Sequence, residues 1–148
     1  MKISKSGGAG PSPLAEQEAG VRTEKAESRF AAELSRAQDA QSQEHLDRLL
    51  DKITEQGRRL AEVPTYGELK VYRDLVSNFL KEAVGRMYTL KSQAGWDHHG
   101  RRRIYSIIKE VDKQLAGLAE DIRLGQERGL NILARVDAIR GLLVDIKT

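Results

Sequence analysis

Cysteine is absent from this 148-residue chain, which excludes disulfides, thiol chemistry and Cys-ligated zinc. Aromatic residues are scarce at 5%, so any core must be aliphatic. No run approaches the roughly 20 apolar residues that a membrane span needs. Lys2 and Lys5 are not followed by the apolar stretch of a secretory signal. Strong charge imbalance is missing too: the net charge of +3 and a pI near 9.2 are too mild to imply nucleic acid. These absences describe a soluble, cytoplasmic, single-domain protein. What the chain does have is 32% charged residues combined with long apolar periodicity, which points to helices rather than a sheet.

The strongest periodicity lies near the C-terminus. Ile104, Ile108, Val111, Leu115, Leu118, Ile122, Ile132, Val136, Ile139, Leu143 and Ile146 fall on one a/d seam. Gly125 and Gly129 occupy seam positions in the middle, and the phase does not slip across them. A single long helix beginning near Arg101 follows from that unbroken register. It would span on the order of 65 Å, more than a small core covers, so the seam would need partner helices from this chain or another. The competing interpretation is a chain break at the glycines that makes two helices.

Residues 1 to about 20 carry Gly7, Gly8, Gly10, Pro11, Pro13 and Gly20 with few large apolar side chains, and are expected to be disordered. From Val21 to Ala40 only Phe30 and Leu34 could anchor a helix, so a partly formed one is expected. Residues 1–42 thus read as a flexible or partly helical tail, and 43–148 as the bundle domain. A first firm helix starts near Ser42 and runs to about Glu62, with Leu46, Leu49, Leu50, Ile53, Gly57 and Leu60 on its inner face. Gly57 lowers helix propensity by about 1 kcal/mol, which the close approach of a neighbouring helix would offset. Pro64 ends that helix. Thr65 and Glu68 form a T-x-x-E capping box for the next, which points Leu69, Tyr72, Leu75, Val76, Phe79, Leu80, Ala83 and Met87 inward and runs to about Leu90. The short turn makes the two an antiparallel hairpin.

Several blocks resemble the YaaR family of small bacterial proteins. They are Leu49-Leu50-x-x-Ile53-x-x-Gln56-Gly57-x-Arg59-Leu60, Phe79-Leu80-Lys81-Glu82-Ala83-Val84, Trp96 followed by Arg103, Ile108-Lys109-Glu110-Val111-Asp112, and Ile139-x-Gly141-Leu142-Leu143. The resemblance covers roughly residues 43 to 148. It implies a cytoplasmic, all-helical fold and brings no agreed activity.

Chemistry concentrates in the expected linker Ser92–Gly100 and the triple arginine behind it. Between Arg86 and Lys109 six basic residues stand against Asp97 alone, a local +5 within 24 residues. Arg101, Arg102 and Arg103 at a helix N-terminus would oppose the macrodipole, a strain that a bound anion would relieve. Trp96, Lys91 and Arg86 complete a candidate anion- or partner-binding set, with Trp96 stacking a base or anchoring a protein. The plainer interpretation has Trp96 plugging the bundle end and the arginines solvated or paired with acids. His98 and His99 invite a metal, but only His45 and Asp97 could join them, short of the ligand set zinc requires. Acids lie at helical spacing on exposed faces, as in Glu120 with Arg123, and Asp112 alone approaches an apolar face. No catalytic constellation and no cofactor motif emerges.

The sequence therefore describes an all-α, elongated helical bundle, with an antiparallel helical hairpin packed on a long C-terminal heptad helix. The expected role is a non-enzymatic, self-associating interaction or adaptor protein. The alternative is a phosphate or nucleic-acid binding module built on the Trp96–Arg103 segment.

Overall fold

Helix α1 ends at Glu62, two residues before Pro64, and α2 begins at Tyr66 directly after Thr65. The computed structural model describes residues 13–94, 98–125 and 129–148, with side chains at 22–89, 99–125 and 129–148. Four helices account for them: α1 Pro13–Glu62, α2 Tyr66–Ala94, α3 His98–Arg123 and α4 Gly129–Lys147. The chain divides into two compact units, Met1–Gln41 and Ser42–Thr148.

The first unit takes in most of the segment expected to be flexible or partly helical. Its backbone is helical from Pro13 onward, while residues 1–12 lie outside the described set. Proline suits a first helical position, where its fixed φ is already helical and its missing N–H has no intrahelical partner. Alanine, glutamate, arginine and glutamine then carry the helix on propensity, and Gly20 costs only about 1 kcal/mol.

The second unit is a four-helix bundle whose sequential helices run antiparallel. Gln56 Nε2 of α1 donates to Glu68 of α2, at 3.0 Å to its carbonyl and 2.6 Å to its carboxylate. Further along the same pair, His45 meets Glu82 at 3.4 Å. At one end of the α3–α4 pair Arg103 Nη2 donates to Asp145 Oδ1 at 2.6 Å. At the other, Arg135 Nε donates to Asp121 Oδ2 at 2.8 Å. Helix α4 closes the bundle against α1, through an Asp47–Lys147 ion pair and Arg140 Nε donating to Thr54 Oγ1 at 3.2 Å. Up-down-up-down order with short connections is what such pairwise packing yields.

The long C-terminal helix is not formed. Helix α3 stops at Arg123, and Gly125 adopts φ +64°, the left-handed conformation that ends helices and that glycine enters without Cβ strain. The two halves of the seam then pack on each other. Ile104, Val111, Leu115, Leu118, Ile132, Val136, Ile139, Leu143 and Ile146 are all buried. In the first turns Ile107 takes a fully buried place and Ile108 only a half-buried one. Because each half of an antiparallel hairpin carries its own stripe, an unbroken heptad count across the turn says nothing about chain direction.

Local expectations fare unevenly. Helix α2 extends to Ala94 and α3 begins at His98, so residues 92–94 and 98–100 of the expected linker are helical, while 95–97 lie outside the described residues. Half of the capping box forms: the Glu68 amide donates to Thr65 Oγ1 at 3.3 Å. The Glu68 carboxylate turns to α1 instead, where Gln56 and Arg59 hold it. The Glu120–Arg123 pair is present, with Arg123 donating at 2.6 and 3.1 Å and holding the Glu120 carboxyl below its usual range.

Arg135 lies one step off the seam and reads as replaceable from sequence, yet it is a tie. Besides Asp121 it donates to Gln114 Oε1 at 3.2 Å, and its guanidinium lies over Gly117. Arg135→Ala is expected to cost roughly 1 to 2 kcal/mol, because the largely covered Asp121 carboxylate loses its partner. A urea titration that moves by under about 0.5 kcal/mol would contradict this.

Tyr72 is fully buried beside Gly57, and no described group hydrogen bonds its hydroxyl. Burial, with Asp137 adding to it, pushes the phenol far above its ordinary 10.0. A raised folded-state value means that stability is intact below about pH 10 and falls above it, as the unfolded chain ionises first. Tyr72→Phe is expected to leave stability unchanged or raise it by up to about 1 kcal/mol at pH 7. It should also flatten the decline between pH 10 and 11, read from denaturant midpoints.

Candidate functional site

The candidate basic set divides once it is placed on helices. Because α3 begins at His98, Arg101, Arg102 and Arg103 stand one turn inside it rather than at its first amides, where the macrodipole is felt most. Consecutive helical residues diverge by about 100°, so three neighbouring arginines cannot share a face.

Arg103 points to the end of α4 and is held by Asp145, both side chains about half exposed. Arg86 shares a depression of about 200 Å³ with Arg103, Leu46, Met87 and Lys147. Arg101 and Arg102 border a different, largely apolar depression of about 400 Å³ between α2 and α3, floored by buried Ile104. Trp96 lies outside the described residues, and so does the Lys91 side chain, although its backbone belongs to α2. The structure thus brings Arg86 to Arg103 and Arg101 to Arg102, in two places.

The histidines do not converge. His45 pairs with Glu82, His99 is exposed in the first turn of α3, and the His98 side chain is outside the described set. Among the described residues, no group of three or more His, Asp or Glu side chains comes close enough to hold a metal. Asp112 is exposed at the edge of a second α2–α3 depression, near Arg73.

The fold and these side chains can be set beside known proteins. Residues 10–147 match the family described as "Protein of unknown function (DUF327)". The chain belongs to this family. The uncharacterized protein YaaR of Bacillus subtilis (strain 168) is 27% identical over 128 residues, 86% of this chain and 88% of that one. The crystal structure of an uncharacterized protein from Bacillus halodurans matches with a TM-score of 0.73 at 34% identity, covering 80% of this chain and 98% of that one. A DUF327 protein from Thermotoga maritima matches at 0.66 and 26% identity, covering 79% and 96%. The YaaR resemblance read from sequence blocks is therefore correct, but the family match reaches back to residue 10 rather than 43.

Two aromatic residues at the Arg101–Arg102 depression escape a sequence reading centred on Trp96. Tyr88 is 57% exposed and Tyr105 is 64% exposed, and both line the apolar hollow. Lys109 Nζ stands 5.4 Å above the Tyr105 ring, a cation–π contact. The available signal was spacing. Arg101, Tyr105 and Lys109 follow one another at i, i+4, i+8, one surface stripe off the core seam. Among the described residues, no helix is long and apolar enough to cross a membrane.

Proposed function

We propose that this DUF327 protein is a non-enzymatic helical interaction protein of the cytoplasm, which associates with itself and acts as an adaptor. The observation that carries this reading is the N-terminal stretch of α1. Residues 22–38 are all exposed, and among them Phe30 is 69% and Leu34 49% exposed on a helical face. Phe30 and Leu34 lie one turn apart, and large apolar residues paired on an exposed helical face suit a surface awaiting a partner. The bundle's own seam is consumed internally, so this face replaces the C-terminal seam as the support for association.

Sedimentation velocity of the full chain over a range of concentrations tests it. A dimer or larger species that survives high salt is expected, and Phe30→Asp with Leu34→Asp should return the protein to monomer while helicity persists. A wild-type monomer at high concentration would remove the reading.

A second reading has an observation of its own. Exposed Tyr88 and Tyr105 beside Arg101 and Arg102 are the side-chain types that stack bases and neutralise phosphates. Arg101 and Arg102 would neutralise about two phosphates, giving a log-log salt slope near −1.5. No affinity for single-stranded oligonucleotides at low salt would exclude it.

A further inference from the structure

The crease between α2 and α3 is longer than either hollow in it. One depression, of about 420 Å³, is lined by Arg73, Ser77 and Leu80 of α2 with Asp112 and Ala116 of α3. The other, of about 400 Å³, is lined by Val84 and Tyr88 with Tyr105 and Ile108. Leu80 and Val84 are one turn apart on α2, and Ile108 and Asp112 are one turn apart on α3. The hollows therefore follow one another along the same crease. From Arg73 to Tyr88 it runs about 22 Å at the helical rise. Its floor is apolar, with buried Val76, Leu115 and Ile104, and Ser77 and Ala116 keep one end low enough for close approach. Its rim carries Arg73, Arg101 and Arg102 against Asp112, a balance of +2.

A second copy of this chain has a matching part. The exposed run 22–38 is seventeen residues, about 25 Å of helix. At 100° per residue, the face centred on Phe30 holds Ala26, Leu34 and Ala37, and its charged members are Glu27 and Glu33. Arg22 lies 80° away at the edge of this face, and Lys25, Arg29 and Arg36 lie 100° or more away. An apolar stripe flanked by Glu27 and Glu33 thus faces an apolar crease whose rim carries +2, at nearly equal length.

We propose that the Phe30–Leu34 face of one copy lies in the α2–α3 trough of a second copy, as an added helix in a groove. This assignment rests on the self-association proposed above and names its surfaces. Glu27 and Glu33 pair with the arginine rim, and Phe30 and Leu34 fill the apolar floor.

The native chain has no cysteine, so single cysteines report the contact directly. Full-length Ala37→Cys is mixed with full-length Ala116→Cys and oxidised, and the mixed disulfide is expected to exceed either like-with-like product. Arg101→Glu with Arg102→Glu should weaken association about tenfold or more. Adding a copy that carries Glu27→Arg and Glu33→Arg should restore it. Association unaffected by the arginine reversals, with cross-links only between two Ala37→Cys copies, would overturn the trough and leave self-association standing. A wild-type monomer at every concentration would overturn both. Arginine-dependent binding of a single-stranded oligonucleotide with no mixed disulfide would overturn the docking assignment alone and give the crease to nucleic acid.

Discussion

Leu118→Ala is expected to lower the unfolding free energy by roughly 2 to 5 kcal/mol, the range for emptying a well-packed leucine site. Leu118 is 0% exposed, on the face of α3 that meets α4, and Val111, Leu115 and Ile132 belong to the same core. Removing three carbons there loses transfer free energy, and helices tied at both ends by Arg103–Asp145 and Arg135–Asp121 have little freedom to close the gap. Leu130, early in α4, provides the contrast. It is 82% exposed, and Leu130→Ala should cost under about 0.5 kcal/mol. Denaturant titrations of the two variants decide the matter. Equal losses would mean that the α3–α4 seam is not the core.

Gly57→Ala is expected to destabilise by roughly 1 to 3 kcal/mol, against the direction of helix propensity. Alanine in a helix interior gains up to about 1 kcal/mol over glycine. Here a Cβ would overlap Val136 Cγ1 and come within 3.3 Å of Tyr72 Cε2. Val136 is buried and β-branched, so its side chain cannot swing away, and overpacking of this kind costs more than propensity returns. Gly141→Ala should do the opposite. That glycine is mid-helix and exposed, with nothing within 4 Å of a new Cβ, so a gain of about 0.5 to 1 kcal/mol is expected. A double-mutant cycle adds a sharper test. Val136→Ala should remove most of the Gly57→Ala penalty, since the overlapping methyl is gone. Independent, additive losses would show that the close approach of α4 to α1 at Gly57 is wrong.

The glycines show how far sequence could be read. Gly57 was legible as a point of close approach, because a glycine on an otherwise apolar helical face needs a reason. Gly125 was not legible as a reversal, because it sits where the heptad count expects an apolar residue and the count resumes unbroken at Ile132. Periodicity records which face of a helix is buried and is blind to which way the chain runs. Only the positive φ of Gly125 and the cross-helix pairs Arg103–Asp145 and Arg135–Asp121 reveal the turn.

The candidate site was legible as charge and not as geometry. The local charge marked the Arg86–Lys109 segment, and setting Arg101, Arg102 and Arg103 at a helix N-terminus treated them as one cluster. On a helix their directions separate, so Arg103 goes to Asp145 while Arg101 and Arg102 border an apolar hollow. Tyr88 and Tyr105 join that hollow from two different helices, a juxtaposition that packing creates and no local pattern announces.

By itself the sequence determined that this protein is all-helical, that Pro64 separates two helices, and most of the residues that are buried. Those outcomes depend on local physics: proline's missing amide, the 3.6-residue period, and the free energy of removing aliphatic surface from water. Tertiary structure alone decided that the C-terminal seam closes on itself, that Arg135 is a tie rather than a solvated charge, and that the α2–α3 crease holds two depressions. Each of these depends on where separate helices come to rest against one another. Side-chain volumes and paired charges set that only once the whole bundle has formed.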